Sequence, residues 1–217
     1  MKRTSLSIIS GLLLIAAALC LTGYNLWDDR RAGVESVRIL DSILPELDPD
    51  PVPREGRIIS VHTKKQQIAD AEIEYPDYVL DPNMDMPVRS IDGNDYIGVL
   101  SVPAIGRELP VMGEWDYTKL ETAPCRYTGS AYLDSMVICA HNYDSHFGKL
   151  KDLSYGDSVV FTDMDGNVFT YKVVEVETVQ PTAIEEMTPG DWDLTLFTCT
   201  LGGATRVAVR CERELNL

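Results

Sequence analysis

The sequence predicts an all-β domain, a sandwich or barrel, carried behind an N-terminal membrane-anchor helix. Seven short runs rich in Val, Ile, Thr, Tyr and Phe crowd residues 96–212. Only brief helical stretches such as residues 115–122 interrupt them, and strands at such short spacing close into sandwiches or barrels. Residues 6–24, LSIISGLLLIAAALCLTGY, form an uncharged apolar run behind Lys2 and Arg3.

That apolar run comes first in the chain. At about 1.5 Å per residue, some 20 residues cross a bilayer core. The run is longer than the h-region of a secretory signal, and no A-x-A site closes it, although Ala16–Ala18 leave cleavage open. Lipidation at Cys20 is disfavoured by the bulky Leu19 before it. The expectation is an uncleaved signal anchor over residues 1–24, with Lys2 and Arg3 inside and the rest of the chain outside. Residues 25–47 have helical spacing through Val34, Val37, Leu40, Ile43 and Leu44. Pro45 and the cluster DPDPVPREG then break it. Residues 25–75 therefore read as a juxtamembrane helix and stalk, and residues 76–217 as the β domain. The strand candidates are residues 96–103, 108–113, 135–140, 157–163, 168–179, 194–199 and 206–212, with DMDGN between the fourth and fifth as a hairpin turn.

Composition narrows the function. Apolar residues make up 45% and charged residues 24%, as in a folded domain, and the net charge of −15 argues against nucleic acid as a partner. Five cysteines are an odd number for an exported chain. They show no CxxC or Cys/His spacing, so a structural zinc site is not expected; the acidic surface leaves calcium conceivable but offers no ligand cluster, and no cofactor is expected. At least one free thiol with a chemical task is the economical reading.

Cys199 ends the apolar run LTLFTC and precedes the turn TLGG. A strand end opening onto a loop can supply the exposure and positive neighbourhood a reactive thiol needs, although most cysteines are simply buried. His141 follows the strand SMVICA and is delivered to a loop edge in the same way; His146 reads as an ordinary polar loop residue, and His62 has no context. Arg206 opens the strand after the turn, where a tight connection would return it beside the thiol, with Arg210 and Arg213 near enough to compete. A cysteine, a histidine and an arginine at separate strand ends suggest acyl transfer.

The motifs TLFTC (residues 195–199), AHN (140–142), RVAV (206–209), YIGVLSVP (96–103) and FGKL (147–150) together resemble the sortase family over residues 92–212. One departure is Cys139-Ala140 before His141, where glycine commonly precedes the histidine. The resemblance implies a closed eight-stranded sortase-type β-barrel with short helices, and a cysteine transpeptidase. Its partners would be surface proteins with a C-terminal LPxTG-like sorting signal, the amine of a peptidoglycan precursor, and the membrane through the N-terminal helix, in a Gram-positive bacterium. Cys199 would be the nucleophile, His141 the acid and base, and Arg206 the oxyanion and backbone clamp. Thr198 and Asn142 would support them. HNYDSHFGKL is similar to class B sequences, and the short segment 180–193 leaves little room for a long class B helix, so a class B-like or class D-like enzyme is expected. A hydrolytic cysteine peptidase on the same scaffold and a non-catalytic wall-binding β-domain are the other readings.

Overall fold

The computed structural model describes residues 2–47, 75–182 and 192–214. The proline-rich stretch, His62 and most of segment 180–193 lie outside these. The chain begins with helix α1 (Lys2–Leu47), continued by α2 (Asp77–Leu80) and α3 (Tyr117–Leu120). The strands are β1 (Arg89–Ile91), β2 (Asn94–Val102), β3 (Arg107–Met112), β4 (Cys125–Thr128), β5 (Met136–Cys139), β6 (Ser158–Asp163), β7 (Val168–Val179), β8 (Leu194–Cys199) and β9 (Arg206–Arg213).

Eight of these strands close a barrel in the order β2-β3-β4-β5-β8-β9-β7-β6, and β6 returns to β2 through Gly98↔Asp163 and Ser101↔Val160. β1 is a short flap hydrogen-bonded to the start of β2. The closed eight-stranded barrel is therefore the fold the chain adopts, and closure leaves no long edge open to other chains. Two pairings are parallel, β3–β4 and β5–β8; the others are antiparallel. Period-2 alternation sorts the side chains. Leu194, Leu196, Ile138, Ala140, Val207 and Val209 face the buried interior with Phe161, Phe169 and Tyr171. The residues between them face outward, so Phe197 and Cys139 join a separate apolar cluster on the outer wall.

The DMDGN turn forms as the spacing predicts. Asp163, wholly buried, accepts from Asp165 N, Asn167 N, Asn167 Nδ2 and Tyr132 Oη at 2.7–3.0 Å.

Helix α1, about 69 Å long at 1.5 Å per residue, has two characters. Its first half is apolar and exposed, and it is the one described helix long and apolar enough to cross a membrane. Its second half lies on the barrel. The buried stripe there is Ala32, Ser36, Ile39, Leu40 and Ile43, the last three packed against Tyr96, Val99, Met112 and Leu120. Val34 and Val37, expected in that stripe, are 70% and 47% exposed. Small residues displace them because the helix approaches a loop closely: a Cβ on Gly33 would sit 3.0 Å from Ser145 Cβ. The helix ends within the turn that holds Pro45, which has no N–H to donate to the carbonyl four residues back and so favours termination there.

Candidate active site

Three strand ends converge at one rim of the barrel. In the antiparallel β8–β9 pair, Cys199 and Arg206 are direct register partners. Their side chains leave the same face with Cβ atoms about 5 Å apart. The turn between them depends on Gly202 and Gly203, at φ +84° and +74°, where a side chain would be strained. It is closed by Thr200 N to Thr205 O at 3.0 Å and Gly203 N to Thr200 O at 2.8 Å. Arg206 Nη1 donates to the carbonyls of Gly203 and Thr205, 3.0 Å each, which draws the guanidinium over the turn.

His141 reaches the rim by a different route. The parallel β5–β8 register pairs Cys139 with Phe197. Beyond it, Ala140 N donates to Phe197 O at 3.2 Å and Thr198 Oγ1 donates to Ala140 O at 2.8 Å. The chain leaves β5 after Cys139, so His141 lies two residues past the Cys139–Phe197 pair, at the same end of the sheet as Cys199. Asn142 Nδ2 then donates to Thr200 O at 3.4 Å, tying the histidine loop to the cysteine turn. Thr198 is buried and points inward; Cys199 is half-buried on the outer face. Its two candidate helpers thus have structural bonds that hold the two loops together.

Electrostatics separate the histidines. Burial lowers the His141 pKa, opposed by the carboxylates of Glu121 and Asp28. His146 is not an ordinary loop residue: it is wholly buried, 3.3 Å from Ser36 Oγ, and burial holds its pKa at about 4. The remaining arginine candidates are engaged elsewhere. Arg210 donates to Glu177 at 2.7 Å and Thr195 Oγ1 at 3.2 Å, and Arg213 to Asp134 at 2.7 Å. Burial pushes the Cys125 and Cys211 thiols up to about 12 and raises Cys139 as well, so these are inert core thiols. Among the described residues no cluster of three or more His, Cys, Asp or Glu side chains could hold a metal ion.

Sequence reasoning did not single out two features of this rim. Phe197, on the Cys199 face of β8, begins an aromatic series with Tyr127, Trp115 and Tyr117, successive ring centroids 5.4 Å apart. This series leads to an open cleft lined by Gly113, Glu114, Trp115, Arg126, Tyr127 and Thr128. The second feature is α1, whose Asp28 and Asp29 bond the loop that follows His141. A signal was present: an acidic pair directly follows an apolar helix, and HNYDSHF offers hydroxyls to meet it.

A family model described as "Sortase domain" matches residues 100–214, more than half of the chain. The chain belongs to the sortase family. Sortases are cysteine transpeptidases, and the matched span contains all three strand ends at the rim. Among solved structures, "Sortase C1 of GBS Pilus Island 1" superposes with a TM-score of 0.51 at 22% identity, over 56% of this chain and 66% of that one. A Clostridium perfringens Sortase D5 transpeptidase gives 0.51 at 21%, over 56% and 81%. Sortase A from Corynebacterium diphtheriae, as a lid mutant, gives 0.50 at 25%, over 64% and 76%. At these identities the neighbours carry the fold, and their differing types leave the subclass of this sortase open. The chain spans just under two thirds of the first neighbour's length. No curated protein matches.

Proposed function

We propose that this sortase is a membrane-anchored cysteine transpeptidase that cleaves an LPxTG-like sorting signal and joins the surface protein to a cell-wall amine. The observation that carries the reading is the register Cys199↔Arg206 beside the His141 strand end, on one outer face of a sortase-family barrel. The Cys199 thiolate attacks the scissile carbonyl; Arg206 stabilises the oxyanion, using donors its turn contacts leave for substrate. The C–N bond breaks as His141 gives its proton to the departing amine, leaving a thioester on Cys199. An incoming amine from a peptidoglycan precursor attacks that thioester, His141 accepts its proton, and the thiolate leaves. No cofactor enters any step. Thr198 and Asn142 keep the two loops at fixed separation. The aromatic series from Phe197 to Trp115 suits an extended apolar peptide lying across β8.

The apolar half of α1 would anchor the chain, with Lys2 and Arg3 on the cytoplasmic side and the barrel outside. The domain reading follows, with one addition: the docked half of α1 belongs with the barrel. The test incubates the full chain in nanodiscs with an LPxTG-like peptide library, with and without an amine acceptor. Ligation that needs the amine and vanishes in Cys199→Ala supports the reading. Cleavage indifferent to the amine would make the protein a hydrolase, and binding without turnover a wall-binding domain.

A further inference from the structure

The loop after His141 is fastened to α1 rather than to the barrel alone. Tyr143 Oη donates to the carboxylate of Asp28. Ser145 N donates to Asp29 Oδ1 at 2.9 Å, and Ser145 Oγ to Asp29 O at 3.0 Å. About two turns further along the helix, Ser36 Oγ meets His146 Nε2 at 3.3 Å. Gly33 lets the two backbones come this close. The Tyr143 ring in turn lies against the His141 imidazole, centroids 4.9 Å apart and planes at 39°. A continuous path therefore runs from an α1 carboxylate, through a phenol, to the face of the candidate acid–base.

We propose that Asp28 is a positioning residue for His141, acting through Tyr143, so that the N-terminal helix forms part of the active site. The proposal rests on His141 being the acid and base of the reaction proposed above. Asp28 is suited to the task because it is itself fixed. Its side chain is only 14% exposed, and Arg31 Nη2 holds it at 3.0 Å. The same guanidinium nitrogen reaches Glu121 at 3.3 Å. Two carboxylates joined by one guanidinium thus stand near the imidazole. Asp28 stays ionised because the Tyr143 hydroxyl donates to it, and its charge favours imidazolium against the burial that disfavours it. The ionisable groups around His141 are Asp28 and Arg31 on α1, Glu121 after α3, Tyr143 and His146 on its own loop, and, at the same rim, Cys199 on β8 and Arg206 on β9. Of these, Asp28 alone is bonded to the residue whose ring lies against the imidazole.

The physical consequence is twofold. An imidazole whose plane is set by an adjoining, anchored tyrosine keeps its orientation towards the rim that carries Cys199, and a misplacement of about 1 Å can cost on the order of 100-fold in rate. The charge also raises the imidazolium fraction that protonates the leaving amine. Neither effect touches peptide binding along the outer face of β8.

The test uses full-length protein in nanodiscs with ring-13C histidine, the His141 signal identified by its absence in His141→Gln. In Asp28→Asn the His141 titration midpoint falls by about half a pH unit. Its kcat for peptide ligation falls about 10-fold while KM stays within about twofold. Tyr143→Phe, which keeps the ring and removes the bond, lowers kcat in the same way, and the double variant is no worse than either single one. A wild-type midpoint and wild-type kcat in Asp28→Asn overturn the proposal. If Asp28→Asn does not fold, Tyr143→Phe decides: wild-type kcat and midpoint there overturn it equally. If even the wild type ligates no peptide, the proposed function fails, and the titration in the variants still decides whether Asp28 acts on His141.

Discussion

Lowering the pH tests the buried His146 directly. The imidazole is wholly buried beside Ser36, and its pKa is held at about 4 by burial first and by the nearby His141 second, against an ordinary value of 6.5. The unfolded chain therefore takes up this proton between pH 6.5 and 4 and the folded chain does not. The stability this neutral histidine permits is complete above pH 6.5 and is lost as the pH falls towards 4. At about 1.4 kcal/mol per pH unit, the loss between about pH 7.5 and about pH 5 comes to about 2 kcal/mol. That is a large share of a typical folding free energy. Asp28 and Glu35, whose pKa values are lowered from 3.8 and 4.5, lose their contributions only below this range. His141, also lowered, acts in the same sense, so the histidines must be separated by mutation. Urea denaturation of the full chain in nanodiscs, followed by tryptophan fluorescence at the two pH values, gives the wild-type loss. In His146→Gln, which can still bond Ser36, that loss shrinks by about 2 kcal/mol. An equal pH dependence in the variant would show that His146 is not kept neutral by the fold, and the argument would fail.

Three other outcomes follow from the packing and the rim. A charged thiol reagent should modify Cys199 in the folded chain and leave Cys125, Cys139 and Cys211 untouched until denaturation, because the latter three are buried with raised pKa values; peptide mapping after labelling checks it. Removing residues 1–47 strips Ile39, Leu40 and Ile43 from the barrel wall. At about 1.5–3 kcal/mol per buried aliphatic side chain, the remainder should lose about 4.5–9 kcal/mol and unfold at far lower urea; an unchanged midpoint would contradict the docking. Thr198→Val leaves the Ala140 carbonyl without its 2.8 Å donor and should cost about 1–3 kcal/mol in the same assay.

How much of this could be read from the chain differs from element to element, for physical reasons. All seven strand candidates form, since each alternates or runs apolar long enough to be seen locally. β1 and β4 escaped: β1 has three residues, and CRYT in β4 joins the sheet through partners rather than through its own pattern. The meeting of Cys199 with Arg206 was legible because one glycine turn makes it. The placing of His141 at the same rim was read only from its position at a strand end; the parallel pairing that carries it joins strands 58 residues apart, and spacing carries no register over such a distance.

The helix shows why apolar periodicity alone misleads at a functional surface. A search for apolar residues every three or four positions chooses Val34 and Val37, which face solvent. The face in contact is Gly33, Ser36 and the Asp28–Asp29 pair, small or polar residues that a hydrophobic pattern assigns to water. They are on the inside because the histidine loop offers hydroxyls, an imidazole and a backbone N–H that must be satisfied once buried. A greasy contact there would hold the helix on the barrel without fixing the loop. Directional bonds hold both, and they pass the rigidity of a helix docked through Ile39, Leu40 and Ile43 to the segment that carries His141. The barrel rim sets where Cys199 and Arg206 stand; the helix supplies the stiffness of the histidine loop.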